Sequence, residues 1–131
     1  MSAHFQIVKT YLLELNYTII REDESDSVLV VENESKGIKN AVLIVADPLL
    51  IIEQFLFDIK TETLEIHKDL LMKNRDIIHG AFALDETGKK VVFRNTHECE
   101  NLDLNELEAT LNSLSLLLSE YAGQLITFSK N

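Results

Sequence analysis

The sequence predicts an α+β fold in which three helices pack on an antiparallel β-sheet, in the order α-β-β-β-β-α-β-β-α. Three observations predict it. Four consecutive runs rich in β-branched residues lie between positions 17 and 58, separated only by short turn segments, so neighbours pair as an antiparallel meander. Two further runs flank the tetrapeptide DETG and read as a hairpin. Apolar residues recur at helical spacing at both ends of the chain and once in the middle.

The first element runs from about Ser2 to Leu15. Phe5, Val8, Tyr11, Leu12 and Leu15 share a helical face, Ser2 is available as the N-cap, and Asn16 ends the helix. The strands of the meander are YTIIRED (Tyr17–Asp23), SVLVVEN (Ser27–Asn33), Ile38–Ala46 and LLIIEQFLFD (Leu49–Asp58). Glu24–Ser25–Asp26 and NESKG (Asn33–Gly37) make the first two turns. Asp47–Pro48 makes the third, since proline lacks the N–H and fixes φ, which suits a turn better than a strand interior.

Thr61–Asn74 changes period. Leu64, His67, Leu70, Leu71 and Asn74 fall on one side, with Glu62 and Glu65 early and Lys68 and Lys73 late, a charge order that suits a helix dipole. Ile77–Leu84 and Lys90–Asn95 then flank Asp85–Glu86–Thr87–Gly88, a type I turn closed by glycine in the left-handed region. Ile78, Phe82 and Leu84 are expected on one face, opposite Val91 and Phe93 of the partner strand. In the last helix Leu104, Leu107, Leu111, Leu114, Leu118, Tyr121 and Leu125 alternate in steps of three and four. Asp103 caps it and Leu102 staples onto Leu107. The seam is only about three heptads long, so it reads as a helix laid across a sheet rather than an intermolecular coil. Ile126 and Phe128 continue the apolar pattern beyond it.

A chain of 131 residues is expected to form one domain, residues 1–131, without disulfide or metal staples. Its 46% apolar and 26% charged residues exclude wholesale disorder. The single cysteine, Cys99, cannot form an intrachain disulfide and fits a reducing compartment. The N-terminus lacks the pattern of a signal peptide. The longest apolar region, Ala41–Ile59, is interrupted by Asp47, Pro48, Glu53, Gln54 and Asp58, which a membrane span would not tolerate. A cytoplasmic protein without a membrane partner is the expectation. Twenty-two acids against twelve lysines and arginines give a net charge of −10, a field that repels a phosphate backbone, so nucleic acid is not an expected partner.

The sequence offers little chemistry. No glycine-flanked serine elbow or phosphate-cradling glycine cluster occurs. Cys99, in HECEN, lies between acids that raise a thiol pKa rather than lower it. His97 and Cys99 stand two apart and face one side of an extended strand, but a tetrahedral metal site needs further ligands, and His67 and His79 are distant in sequence. His79 has no partner acid in register. The expectation is therefore a non-enzymatic protein without metal or cofactor. The alternative is a small-ligand-binding or hydrolytic domain using His79, His97 and Cys99.

Apolar surface remains. Leu49, Ile51, Phe55 and Phe57 are expected on one face of their strand, and Leu50, Ile52 and Leu56 on the other. Val28 and Val30, against Leu29 and Val31, repeat this two-sided character. A half-solvated sheet alternates apolar and polar residues; these strands do not. A homodimer or partner surface including Val28, Val30, Leu50, Ile52 and Leu56 is the expected consequence.

The run LLMKNRDIIHGAFALDETGKKVVFRN, followed by NLDLNELEATL, resembles the bacterial type III secretion chaperone-like proteins, of the Tir-chaperone (CesT-like) and YbjN-like group. The matching positions are Leu70, Leu71, Asn74, Gly80, Phe82, Asp85, Gly88, Asp103 and Leu107, in the C-terminal half; the N-terminal half agrees in element order only. The resemblance implies a small acidic cytoplasmic protein, commonly a homodimer, that binds an effector or client segment instead of catalysing a reaction.

Overall fold

The strands form a six-stranded sheet in the order β1-β2-β3-β4-β6-β5, with each neighbouring pair antiparallel. This computed structural model describes residues 3–123. The elements follow the expected sequence: α1 (Ala3–Glu14), β1 (Thr18–Asp23), β2 (Val28–Asn33), β3 (Ile38–Ala46), β4 (Leu49–Asp58), α2 (Leu64–Lys73), β5 (Ala81–Leu84), β6 (Lys90–Glu98) and α3 (Leu104–Glu120). Ser2, Leu125, Ile126 and Phe128 lie outside the described residues.

Local chemistry accounts for the boundaries. Asn16 leaves α1 in the left-handed region at φ 67°, which asparagine tolerates better than most residues. Thr63 caps α2 by accepting from the Ile66 N–H at 3.2 Å, and Asp103 caps α3 by accepting from the Glu106 N–H at 2.7 Å. In the β5–β6 turn the Asp85 carboxylate accepts from both the N–H and the hydroxyl of Thr87, and Gly88 closes the loop at φ 74°.

One sheet face carries the core. Leu29, Val31, Leu43, Val45, Leu50, Ile52, Phe57, Phe82, Val91 and Phe93 from the strands form one cluster with Phe5, Val8 and Leu12 of α1, Ile66 and Leu70 of α2, and Leu107, Leu111, Leu114 and Leu117 of α3. The three helices therefore share a side of the sheet. The α3 seam is wider than leucine spacing predicts, since Thr110 and Leu117 are buried beside Leu107, Leu111 and Leu114.

Three expectations are corrected. The β4–β6 register shifts between Phe55 and Phe57, so Leu56 occupies a bulge. Phe55 pairs with Val92 and Phe57 with Val91, which puts these two phenylalanines on opposite faces instead of one. Helix α2 is rotated from the expected phase: Ile66 and Leu70 are buried, whereas Leu64 and Leu71 are exposed. Ile78 lies before β5, in a loop, and is exposed.

Both sheet edges are blunted. The β1 edge carries Arg21, Glu22 and Asp23 and a register shift between Ile19 and Arg21. At the other edge, the Asn74 side chain accepts from the Phe82 N–H at 2.7 Å and donates to the Phe82 carbonyl at 3.2 Å. The amide thus stands where a neighbouring strand would bond. Asn74→Ala should cost about 1–3 kcal/mol, because it leaves both groups of a part-buried strand without their partner. Urea unfolding checks this, and Asn74→Asp, which keeps the acceptor but lacks the donor, should fall between.

Candidate functional site

The second sheet face carries aliphatic residues and no described helix. Strand pairing places its residues in rows. Val28, Ile44, Ile51 and Thr96 form one row, and Val30, Val42, Glu53, Arg94 and Ala81 the next. Phe55, Val92 and Ala83 form a third. Val28, Val30, Val42, Ile44 and Ile51 are half-buried by their neighbours alone, and none belongs to the core cluster. Phe55 remains 48% exposed, with Lys90 Nζ 5.2 Å from its ring centroid. Glu53 and Arg94 form the polar interruption of this surface, joined by an ion pair at 2.7 Å. The face is thus aliphatic across β2 and β3, polar at Glu53 and Arg94, and apolar again at Phe55 and Val92.

Of the five residues expected to form a partner surface, Val28 and Val30 stand on this face. Leu50 and Ile52 do not: both are fully buried under the helices. Leu56, in the bulge, packs half-buried against the core. On β4 the helix-free positions are instead Ile51 and Phe55. The sequence signal for them, apolar residues at both strand parities, was present. Choosing between the faces required knowing where the helices lie.

The titratable residues take separate partners. On the core face, fully buried Thr110 accepts from Asn95 Nδ2 at 3.0 Å and sits 2.7 Å from His97 Nε2. A threonine hydroxyl both donates and accepts, so Thr110 can hold His97 Nε2 while also accepting from Asn95. Cys99 is buried; burial first, and then the charge and hydrogen bond of Asp47, push its thiol pKa up, the opposite of an activated nucleophile. His79 lies in the exposed loop before β5. His67 Nδ1 is bonded to the Thr63 carbonyl at 2.7 Å. The geometry assembles no nucleophile–base pair from His79, His97 and Cys99.

His97 gives a pH prediction. Burial lowers its pKa; Glu106 opposes the shift and His79 adds to it. A folded pKa below the unfolded value of about 6.5 means that the unfolded chain takes up the proton first as pH falls. Stability should thus be full above about pH 6.5 and decline below it, until the folded imidazole also protonates. His97→Asn should flatten this part of the stability–pH curve in urea unfolding; an unchanged slope would contradict the assignment.

No helix among the described residues is long and apolar enough to cross a membrane. Sequence comparison with curated proteins found no match. Among solved structures the chain is similar to E. coli YbjN, with a TM-score of 0.68 at 13% identity over 91% of each chain. It matches a chain of the ExsC–ExsE complex with a TM-score of 0.68 at 18% identity, over 95% of this chain and 97% of that one. It also matches a chain from the complex of the Yersinia pestis type III secretion chaperone SycH with a stable fragment of YscM2, with a TM-score of 0.62 at 18% identity over 97% and 100%. At these identities the likeness is one of fold. The sequence itself matches the CesT_Tir_1 family model over residues 1–131, and the chain belongs to that family.

Proposed function

We propose that this protein is a non-enzymatic, secretion-chaperone-like binding module that works as a homodimer and holds a partner polypeptide, with the helix-free sheet face as its contact surface. One observation carries the reading: an apolar face built from Val28, Val30, Val42, Ile44, Ile51 and Phe55 has no described element packed on it. A monomer gains nothing by keeping such a surface in water, whereas its burial against another chain is worth about 25 cal/mol per Å² before the costs of association. Family membership supports the same reading, as do fold neighbours solved together with other polypeptides, ExsE and YscM2 among them. The acidic net charge suits a basic or cationic client segment over nucleic acid. The buried, high-pKa Cys99 is compatible with a reducing cytoplasm.

Sedimentation velocity and native mass spectrometry of the purified chain test this. The expected result is a homodimer, alone or with a bound polypeptide. A monodisperse monomer that carries no polypeptide across the micromolar range would overturn it.

A further inference from the structure

An imidazole, a carboxylate and a thiol meet where the start of α1, the β3–β4 turn and the end of β6 converge. His4 lies in the first turn of α1, Asp47 precedes Pro48 in the turn, and Cys99 follows β6. The Cys99 N–H donates to the Pro48 carbonyl at 2.8 Å, which pins the cysteine to the turn. His4 Nδ1 and Asp47 Oδ1 are 2.6 Å apart. One donor atom from each of His4, Asp47 and Cys99 lies within 4.8 Å of the others.

We propose that His4, Asp47 and Cys99 form a binding site for one divalent cation of the Zn2+ class, with water completing the coordination. The donor set argues for the class. Imidazole nitrogen, thiolate sulfur and carboxylate oxygen together suit a borderline-soft ion, whereas Mg2+ and Ca2+ select oxygen alone. The geometry is close to what is required. Zn–S bonds of about 2.3 Å and Zn–N or Zn–O bonds of about 2.0–2.1 Å imply donor–donor separations of about 3.3–3.6 Å in a tetrahedron. Binding therefore opens the short His4–Asp47 hydrogen bond and adjusts these two side chains around the sulfur.

The freedom needed is distributed suitably. Cys99 is buried and fixed, while the His4 and Asp47 side chains are 37% and 42% exposed and can adjust. Their exposure also gives water access to the remaining coordination position.

Charge and protons balance without another reactant. In the metal-free protein burial and Asp47 hold Cys99 as the neutral thiol. On binding, the S–H bond breaks, its proton passes to solvent, and the sulfur electron pair bonds the cation. His4 Nδ1 gives up its hydrogen, which passes to solvent or, where Nε2 is bare, through solvent to Nε2, freeing the Nδ1 lone pair. Two negative ligands and a neutral imidazole then neutralise a doubly charged ion. The ion would tie three separate chain segments together.

Chelator-treated protein titrated with Co2+ and then Zn2+ tests the site. One equivalent of Co2+ should produce a near-ultraviolet thiolate-to-Co2+ charge-transfer band, and Zn2+ should displace it. Cys99→Ser should abolish the band. Because Cys99 is buried and that variant is open to misfolding, His4→Ala and Asp47→Asn carry the decision: each should weaken Co2+ binding at least tenfold. Zn2+ should raise the Tm of the wild type but not of His4→Ala. Co2+ binding without a sulfur band, as at a surface pair such as His67 and Glu62, would overturn the proposal. So would a band of undiminished affinity in His4→Ala.

Discussion

Replacing Gly80 by alanine is expected to cost about 2–5 kcal/mol of folding stability, the largest single-residue effect anticipated on the fold. Two causes add. Gly80 has φ +107°, which L side chains rarely adopt, and a Cβ there would stand 2.3 Å from Cζ and 2.4 Å from Cε1 of Phe93. Phe93 is fully buried in the core, so its ring has no free volume into which to retreat. Gly88 separates the causes: at φ +74° nothing lies within 4 Å of the added Cβ. Gly88→Ala should therefore show the backbone cost alone, about 1–2 kcal/mol. Urea unfolding of the two variants decides the matter. Equal losses would mean that the approach of Phe93 does not select glycine at position 80.

Val42→Glu should weaken association of the protein at least about 30-fold while leaving the fold intact, since a residue central to an interface contributes 2 kcal/mol or more. Val42 lies between Val30 and Glu53 on the helix-free face and is only half-buried, so a carboxylate there reaches solvent in the isolated chain. In a complex it would be buried against an apolar surface without a partner. Leu71→Lys on the exposed side of α2 is the matched control. Sedimentation equilibrium with circular dichroism reads both quantities. If Leu71→Lys abolished association and Val42→Glu did not, the contact surface would be on the helix side, and the assignment of the sheet face would fail.

What could be read from the sequence was what depends on near neighbours. Helical spacing, the Asp85–Gly88 turn, the Asp103 cap and the β-branched runs give element order and, with short turns, an antiparallel meander. The presence of apolar residues at both parities of β2 and β4 was equally visible. Features that depend on distant residues were not. The Leu56 bulge exists because β4 and β6 pair across it, and nothing in LLIIEQFLFD marks which phenylalanine changes face. The phase of α2 follows from Ile66 and Leu70 meeting the core, together with Asn74 bonding Phe82; leucine spacing alone favoured Leu64 and Leu71. Leu50 and Ile52 looked equivalent to Ile51 as surface candidates until the helices were placed. The juxtaposition of His4, Asp47 and Cys99 spans three elements and has no local signature; near HECEN the sequence offers only His97 as a second ligand.

The row-forming residues of the helix-free face are expected to meet another chain. Methyl-resolved NMR with a water-soluble paramagnetic agent measures this directly. In the associated wild-type protein the methyl groups of Val28, Val30, Val42, Ile44 and Ile51 should be protected from paramagnetic broadening, and in Val42→Glu they should become accessible. Broadening of those methyl groups in the associated protein, with protection confined to Leu64, Leu71 and Met72 on α2, would contradict the account.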